Sequence, residues 1–211
     1  GYSTAGLAFQ QENGSRPFLA DCAPRVFSAC AAAAFYRREA LEAVGLFEER
    51  FAAYYEDVDI GYRLNLAGWK TVLAVKSVCR HIAGGSYGGR SRRMLFNSAR
   101  NSEAVFLSCT PGGLLLRMLP SHMGALFAQA VLRLSQGEFF FFALGKAAVV
   151  LDLPWIIARR GFIRTRTTIS QRELLSAMRK EWFAVHVRPR LPLLFARRRR
   201  LQQGLATQGD A

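Results

Sequence analysis

From Phe139 to Ala158 the chain is apolar except for Lys146 and Asp152, with Pro154 near its end. A run of about 20 apolar residues is what a helix needs to cross a bilayer. A charge at the centre of a lipid-exposed span, however, costs roughly 2.5 to 3.5 kcal/mol. The two charges therefore predict a helix that lies at an interface or is buried, not one that spans. Helical signals surround it. Thr110 is placed as an N-cap with Pro111 at the first helical position, and Met123, Leu126, Phe127, Ala130, Val131 and Leu134 keep an i, i+3, i+4 rhythm along one apolar face. Ser170 and Glu173 have the spacing of a capping box ahead of Leu174, Leu175, Met178 and Trp182.

Charge divides the chain in the same way. Of 29 Lys and Arg against 15 Asp and Glu, residues 1–110 hold 13 and 10, while residues 111–211 hold 16 and 5. The surplus of +14 thus belongs almost wholly to the helical second half. Clustered arginines attract nucleic acid or anionic lipid through long-range fields and counterion release. Arg159, Arg160, Arg164, Arg166, Arg188 and Arg190 stand among Leu, Phe, Trp and Ile with no nucleic-acid-binding motif, which favours a lipid headgroup surface. The basic end, 197–211, is predicted to be disordered. Four scattered cysteines show no zinc spacing and are expected to be reduced and mostly buried, and Gly1–Gly14 has no apolar signal segment.

The first hundred residues are shorter-grained. Val26–Phe35 reads as a strand, Arg38–Val44 as a short helix closed by Gly45, Ile60–Leu66 as a helix opened by acidic residues and ended by Gly68, and Trp69–Val75 as a strand. Val78–His81 reads as a further extended piece, before a loop containing Gly84, Gly85, Gly88 and Gly89. Glu56, Asp57 and Asp59 crowd the start of that acidic helix. Positions 56 and 59 share a helix face while 57 lies about 100° round, so the three cannot all do one job. A carboxylate kept ionised by helix N-terminal amides suits a general base, although acidic first turns also occur simply to oppose the helix dipole.

The ordered stretch Phe35-Tyr36-Arg37-Arg38-Glu39-Ala40-Leu41, Val44-Gly45-Leu46-Phe47-Glu48-Glu49-Arg50-Phe51, Tyr54-Tyr55-Glu56-Asp57-Val58-Asp59, Arg63, Ala67-Gly68-Trp69-Lys70 and His81 resembles the acceptor half of family 2 glycosyltransferases, especially rhamnosyltransferase-like members that build bacterial cell-surface polysaccharides. The likeness runs from about Cys22 to Asn101. It implies an α/β fold: a partial GT-A (nucleotide-diphospho-sugar transferase) domain over 1–101, then a basic amphipathic α-helical region over 102–196 that associates with membrane.

The resemblance also implies roles. Asp57 becomes the catalytic base of an inverting transfer from a nucleotide-sugar to a glycan or lipid-linked acceptor, with Glu56 positioning that acceptor. Asp59, Arg63 and Tyr55 support the acceptor site. His81 is implied to help hold a divalent metal, Mg or Mn, and Gly84, Gly85, Ser86 and Arg90 to fold over the diphosphate. The family's donor half, with its Asp-x-Asp metal motif, is expected ahead of Gly1, so this polypeptide alone should turn over little. Its expected location is cytoplasmic, peripheral to the inner face of the cell membrane, with no nucleic acid as partner. Two other classes compete. A glycosidase needs its two carboxyl groups roughly 5 to 10 Å apart across a sugar, unlike neighbours on one helical turn. A non-catalytic basic module binding membrane or nucleic acid is the alternative.

Overall fold

The computed structural model describes residues 1–10, 23–79 and 91–192. Helices α1 (Arg38–Val44), α2 (Glu56–Leu66), α3 (Arg92–Cys109), α4 (Gly112–Ser135), α5 (Phe139–Arg164), α6 (Gln171–Ser176) and α7 (Trp182–His186) dominate it. Strands β1 (Arg25–Val26) and β2 (Thr71–Val72) pair antiparallel, with Arg25 opposite Val72.

Helix positions follow the sequence signals closely. α1 has the expected bounds, and Gly45 takes φ +82° at its end, a left-handed backbone that glycine adopts without Cβ strain. Ser170 and Glu173 form the reciprocal capping box. One boundary moves by a residue: Thr110 ends α3 and Pro111 precedes the first turn of α4.

The strands are where expectation and structure part. Of Val26–Phe35 only Val26 is paired, next to Arg25, and Trp69–Val75 contributes only Thr71 and Val72, while Ala31–Ala33 forms a 3-10 turn instead. The reason is the lack of neighbours. A strand is stabilised by ladder bonds on both sides and packing on its faces, and among the described residues no third strand joins this pair. Cys30–Ala33 and Val72–Ala74 are accordingly exposed. Cys30 and Cys79 are exposed too, against the expectation of burial, and Cys109 alone among the described cysteines is buried.

α5 is the central element. Phe142, Gly145, Val149, Asp152, Ile156, Arg159 and Ile163 recur every three or four residues and are buried, largely against α3. The helices approach so closely that a Cβ on Gly145 would lie 2.4 Å from the Phe96 carbonyl oxygen. α3 itself runs unbroken across the 101/102 position where the sequence suggests a domain boundary. Around this pair Tyr2, Phe27 and Tyr62 stack or meet edge to face at 5.0 to 5.2 Å, and Leu66, Val105, Phe106, Met118 and Leu174 complete the core.

The charges inside the apolar run of α5 are resolved by this packing. Lys146 Nζ bonds Glu103 Oε1 and Ser102 Oγ, and the Asp152 carboxylate accepts from Arg100 Nε at 2.6 Å. Both charges point at α3, so the outward face is free of them. Between Phe139 and Phe162 every exposed residue of α5 is apolar, and the same holds for α4 from Leu119 to Leu134. This corrects the sequence reading of helices with basic outward faces: the arginines gather at helix ends, or turn inward as Arg159 does.

Glu103 also meets His122 Nε2 at 2.9 Å, while His122 Nδ1 donates to the Ala5 carbonyl at 2.7 Å. Burial works against the Glu103 charge, but the His122 hydrogen bond and the Lys146 charge outweigh it and hold the carboxyl down at about 2. A depressed carboxylate stabilises the fold above its unfolded pKa and loses that contribution as pH falls through the folded value. The window is therefore from about pH 4.5 down to about pH 2. We expect Glu103→Gln to cost about 3 to 5 kcal/mol at neutral pH, because it strands the buried Lys146 charge. The deficit relative to wild type should shrink through that acid window, as read by urea midpoints across pH.

Candidate functional site

The chain enters α2 through unusual backbone. Ala52 (φ +54°, ψ −54°), Tyr54 (φ +71°) and Tyr55 (φ +72°) all lie in the left-handed half of conformational space without being glycine. Ala52 centres a γ-turn in which Ala53 N donates to Phe51 O. Such backbone costs about 1 to 3 kcal/mol per residue and persists only where surroundings dictate it. Here they do. Asn101 Nδ2 reaches the carbonyls of Phe51, Ala53 and Tyr54 at 2.7 to 3.1 Å, and Arg100 Nη1 bonds the Arg50 carbonyl at 3.0 Å. Two consecutive residues of α3 thus hold the strained turn from one side.

The turn delivers three carboxylates into three environments. Asp59 is fully buried; its Oδ2 accepts from Arg63 Nε at 2.9 Å and Arg159 Nη2 at 2.7 Å, and its Oδ1 from Arg159 Nη1 at 2.7 Å. Arg63 goes on to bind the carbonyls of Val44, Gly45 and Leu46, closing the open end of α1. Arg159 adds Ser108 Oγ and lies over the rings of Phe51 and Trp155. Burial alone would lower the Arg159 pKa, but the Asp59 charge reverses this and raises it.

Asp57 and Glu56 occupy the first turn of α2, half-buried. Asp57 Oδ1 accepts from Val58 N at 2.7 Å and Oδ2 from Ala31 N at 3.2 Å. Each carboxylate oxygen has a second lone pair for a ligand hydroxyl. Glu56 Oε2 is a buried oxygen without a hydrogen-bond partner among the described residues, and so is Tyr36 Oη. Burial first, and the neighbouring Asp57 charge second, raise the Glu56 pKa above the usual carboxylate range. Burial together with the charges of Asp57 and Glu56 pushes the Tyr36 phenol up to about 12, which places the three groups within one electrostatic neighbourhood. Tyr55 faces elsewhere: its buried phenol, also at about 12, meets the backbone of Ala8.

The arrangement gathers Asp57, Glu56 and Tyr36, and separates Asp59 and Arg63 into the supporting knot. His81, Gly84, Gly85, Ser86 and Arg90 lie outside the described residues. Among the described residues no group of three or more His, Cys, Asp and Glu is placed to hold a metal. Sequence reasoning did not single out Tyr36 or Asn101, and it set Arg159 among the lipid-facing arginines, whereas Arg159 is buried on Asp59. Tyr36 had the strongest available signal, an aromatic inside the quoted stretch, whereas Arg159 is 100 residues from its carboxylate. Asp57 lines neither the cleft between α4 and α6 nor the apolar groove between α4 and α7.

Residues 3–100 match the family described as "Glycosyltransferase like family 2", consistent with a family 2 glycosyltransferase fragment. That family joins a nucleotide-sugar donor to an acceptor, and the match is in keeping with a GT-A-like origin for the segment. It ends inside α3 and leaves 101–211 outside it. No curated protein and no solved structure matches the chain.

The strain at Ala52 is directly measurable. Glycine there relieves a cost of about 1 to 3 kcal/mol and introduces an unfolded-state entropy penalty of roughly 0.5 to 1 kcal/mol. Ala52→Gly is therefore expected to raise stability by about 1 kcal/mol, seen as a higher thermal midpoint with unchanged circular dichroism.

Proposed function

We propose that this chain supplies the acceptor side of an inverting sugar transfer, with Asp57 as the catalytic base. The supporting observation is the pair of buried, unpartnered oxygens, Tyr36 Oη and Glu56 Oε2, that share the field of Asp57. Buried polar atoms are almost always satisfied, so two such atoms beside one carboxylate suit an acceptor sugar whose hydroxyls complete them. In the reaction the acceptor hydroxyl gives its proton to an Asp57 oxygen and its lone pair to the anomeric carbon. The bond from that carbon to the diphosphate oxygen breaks on the opposite face, and the configuration inverts. The backbone N–H groups of Val58 and Ala31 steady the carboxylate for this role. The Glu56 carboxyl and the Tyr36 phenol orient the acceptor.

The proposal extends to a Mg or Mn ion held in part by His81, with Gly84, Gly85, Ser86 and Arg90 near the diphosphate; none of these residues lies in the described part of the chain, and no step above runs through the ion. The donor site belongs to a nucleotide-binding half beyond this polypeptide, so this chain alone turns over little. In a protein carrying both halves, Asp57→Asn should lower kcat by about 10² to 10⁴-fold with circular dichroism unchanged, measured as nucleoside diphosphate release. Wild-type-like turnover would sink the assignment.

We further propose that the second half rests on the inner face of the cell membrane, where lipid-linked acceptors of cell-surface polysaccharide synthesis reside. The uncharged outward faces of α4 and α5 support this, with Arg117 and Arg164 exposed towards their ends for anionic headgroups. α5 is long and apolar enough to cross a bilayer. A span would nevertheless carry α3, with Arg100 and Glu103, to the same depth, because α5 is packed along α3. Lying in the interface avoids that. Pelleting with vesicles containing phosphatidylglycerol should fall at least tenfold for Leu151→Glu with Ile157→Glu, and carbonate should release the wild type. Extraction by detergent alone would mean a span.

A further inference from the structure

A second polar feature lies apart from the acidic helix start. α4 and α6, with the segment after α6, enclose a cleft of about 500 Å³. Arg117, Arg172 and Lys180 line it together with Thr4, Ser121 and Ser176, and no acidic residue does. None of the three cations forms an ion pair or a side-chain hydrogen bond with a described residue. Glu173, the nearest acid in sequence to Arg172, is occupied by the Ser170 capping box.

The walls are fixed by other bonds. Arg179 N donates to Tyr2 O and Thr4 N to Arg179 O, both at 2.9 Å, which ties the Lys180 segment to the chain start. Ser121 Oγ donates to Thr4 O at 2.9 Å, and that joins the chain start to α4. Three like charges face one space with no counterion among the described residues, and a bound anion would relieve their mutual repulsion.

We propose that this cleft binds the phosphate or diphosphate end of an anionic ligand. Two or three cations around tetrahedral oxygens are the usual requirement for such a group. Except for Thr4, the lining residues lie outside the glycosyltransferase match, so the site stands whether or not Asp57 is a base.

The test compares two charge-matched variants of the full 211-residue chain. One is Arg117→Gln, Arg172→Gln, Lys180→Gln; the other removes exposed cations elsewhere, Arg37→Gln, Lys70→Gln, Lys76→Gln. Circular dichroism checks the fold of each. Calorimetric titration with inorganic pyrophosphate reports the soluble group, and pelleting with phosphatidic acid vesicles against neutral phosphatidylcholine reports the headgroup. The cleft variant should lose at least tenfold in affinity and the control less than twofold. A cleft-specific loss with vesicles alone assigns a lipid headgroup, one with pyrophosphate alone assigns a soluble phosphate, and either supports the site. Equal losses in the two variants, or no wild-type binding in either arm, overturn it.

Discussion

The carboxylate of Asp59 sits at zero exposure between Arg63 on its own helix and Arg159 from α5, and most of the remaining structure is arranged around that contact. A buried carboxylate costs several kcal/mol to desolvate, and two guanidiniums with near-ideal geometry are needed to offset it. Their other donors are also used. Arg63 closes α1 and Arg159 reaches Ser108 on α3, so one ionic knot sets α1, α2, α3 and α5 relative to each other. Replacing any member would leave a charge buried without its partner, which is why the knot specifies the packing more than it adds net stability.

A second set of charges does the same further along α5. Lys146 with Glu103, and Arg100 with Asp152, turn the polar side chains of an otherwise apolar helix onto α3. The consequence lies on the opposite side. An outward face without charge on both α4 and α5 is unusual for a surface in water, where large contiguous apolar patches mark binding surfaces. The interface reading of these helices therefore rests on packing along α3, since the charges in the sequence of α5 are already satisfied within the protein.

The acidic start of α2 combines stored backbone strain with unsatisfied polar atoms. Asn101 and Arg100 fix the turn at residues 51–54, Tyr55 enters the helix left-handed, and Asp57 is then held by two backbone N–H groups while Glu56 and Tyr36 keep free oxygens. Features that weaken a fold locally and are held from elsewhere are those expected where a ligand is to be met. Arg100, one of the two residues of α3 that hold the turn, also pairs with Asp152 of α5, so the helical second half supports the turn through α3.

The helices were legible because their signals are local: Ser170 and Glu173 cap within one turn, Gly45 ends α1, and the period of Phe142, Val149, Ile156 and Ile163 is visible in the letters alone. So was the acidic cluster at 56–59 and the family likeness around it, which the match over 3–100 supports. The strands were not, since an extended run becomes a strand only when neighbours supply its ladder, and of Val26–Phe35 only Val26 found one. Nor was the division of labour among the carboxylates. Spacing separated Asp57 from Asp59, but only tertiary structure set Arg159 on Asp59 across 100 residues and left Glu56 Oε2 and Tyr36 Oη without a hydrogen-bond partner among the described residues. Local sequence dictates backbone preference and periodicity within a turn or two; which charges are neutralised, and which atoms stay open, depends on contacts between distant segments, and those exist only once the chain has packed.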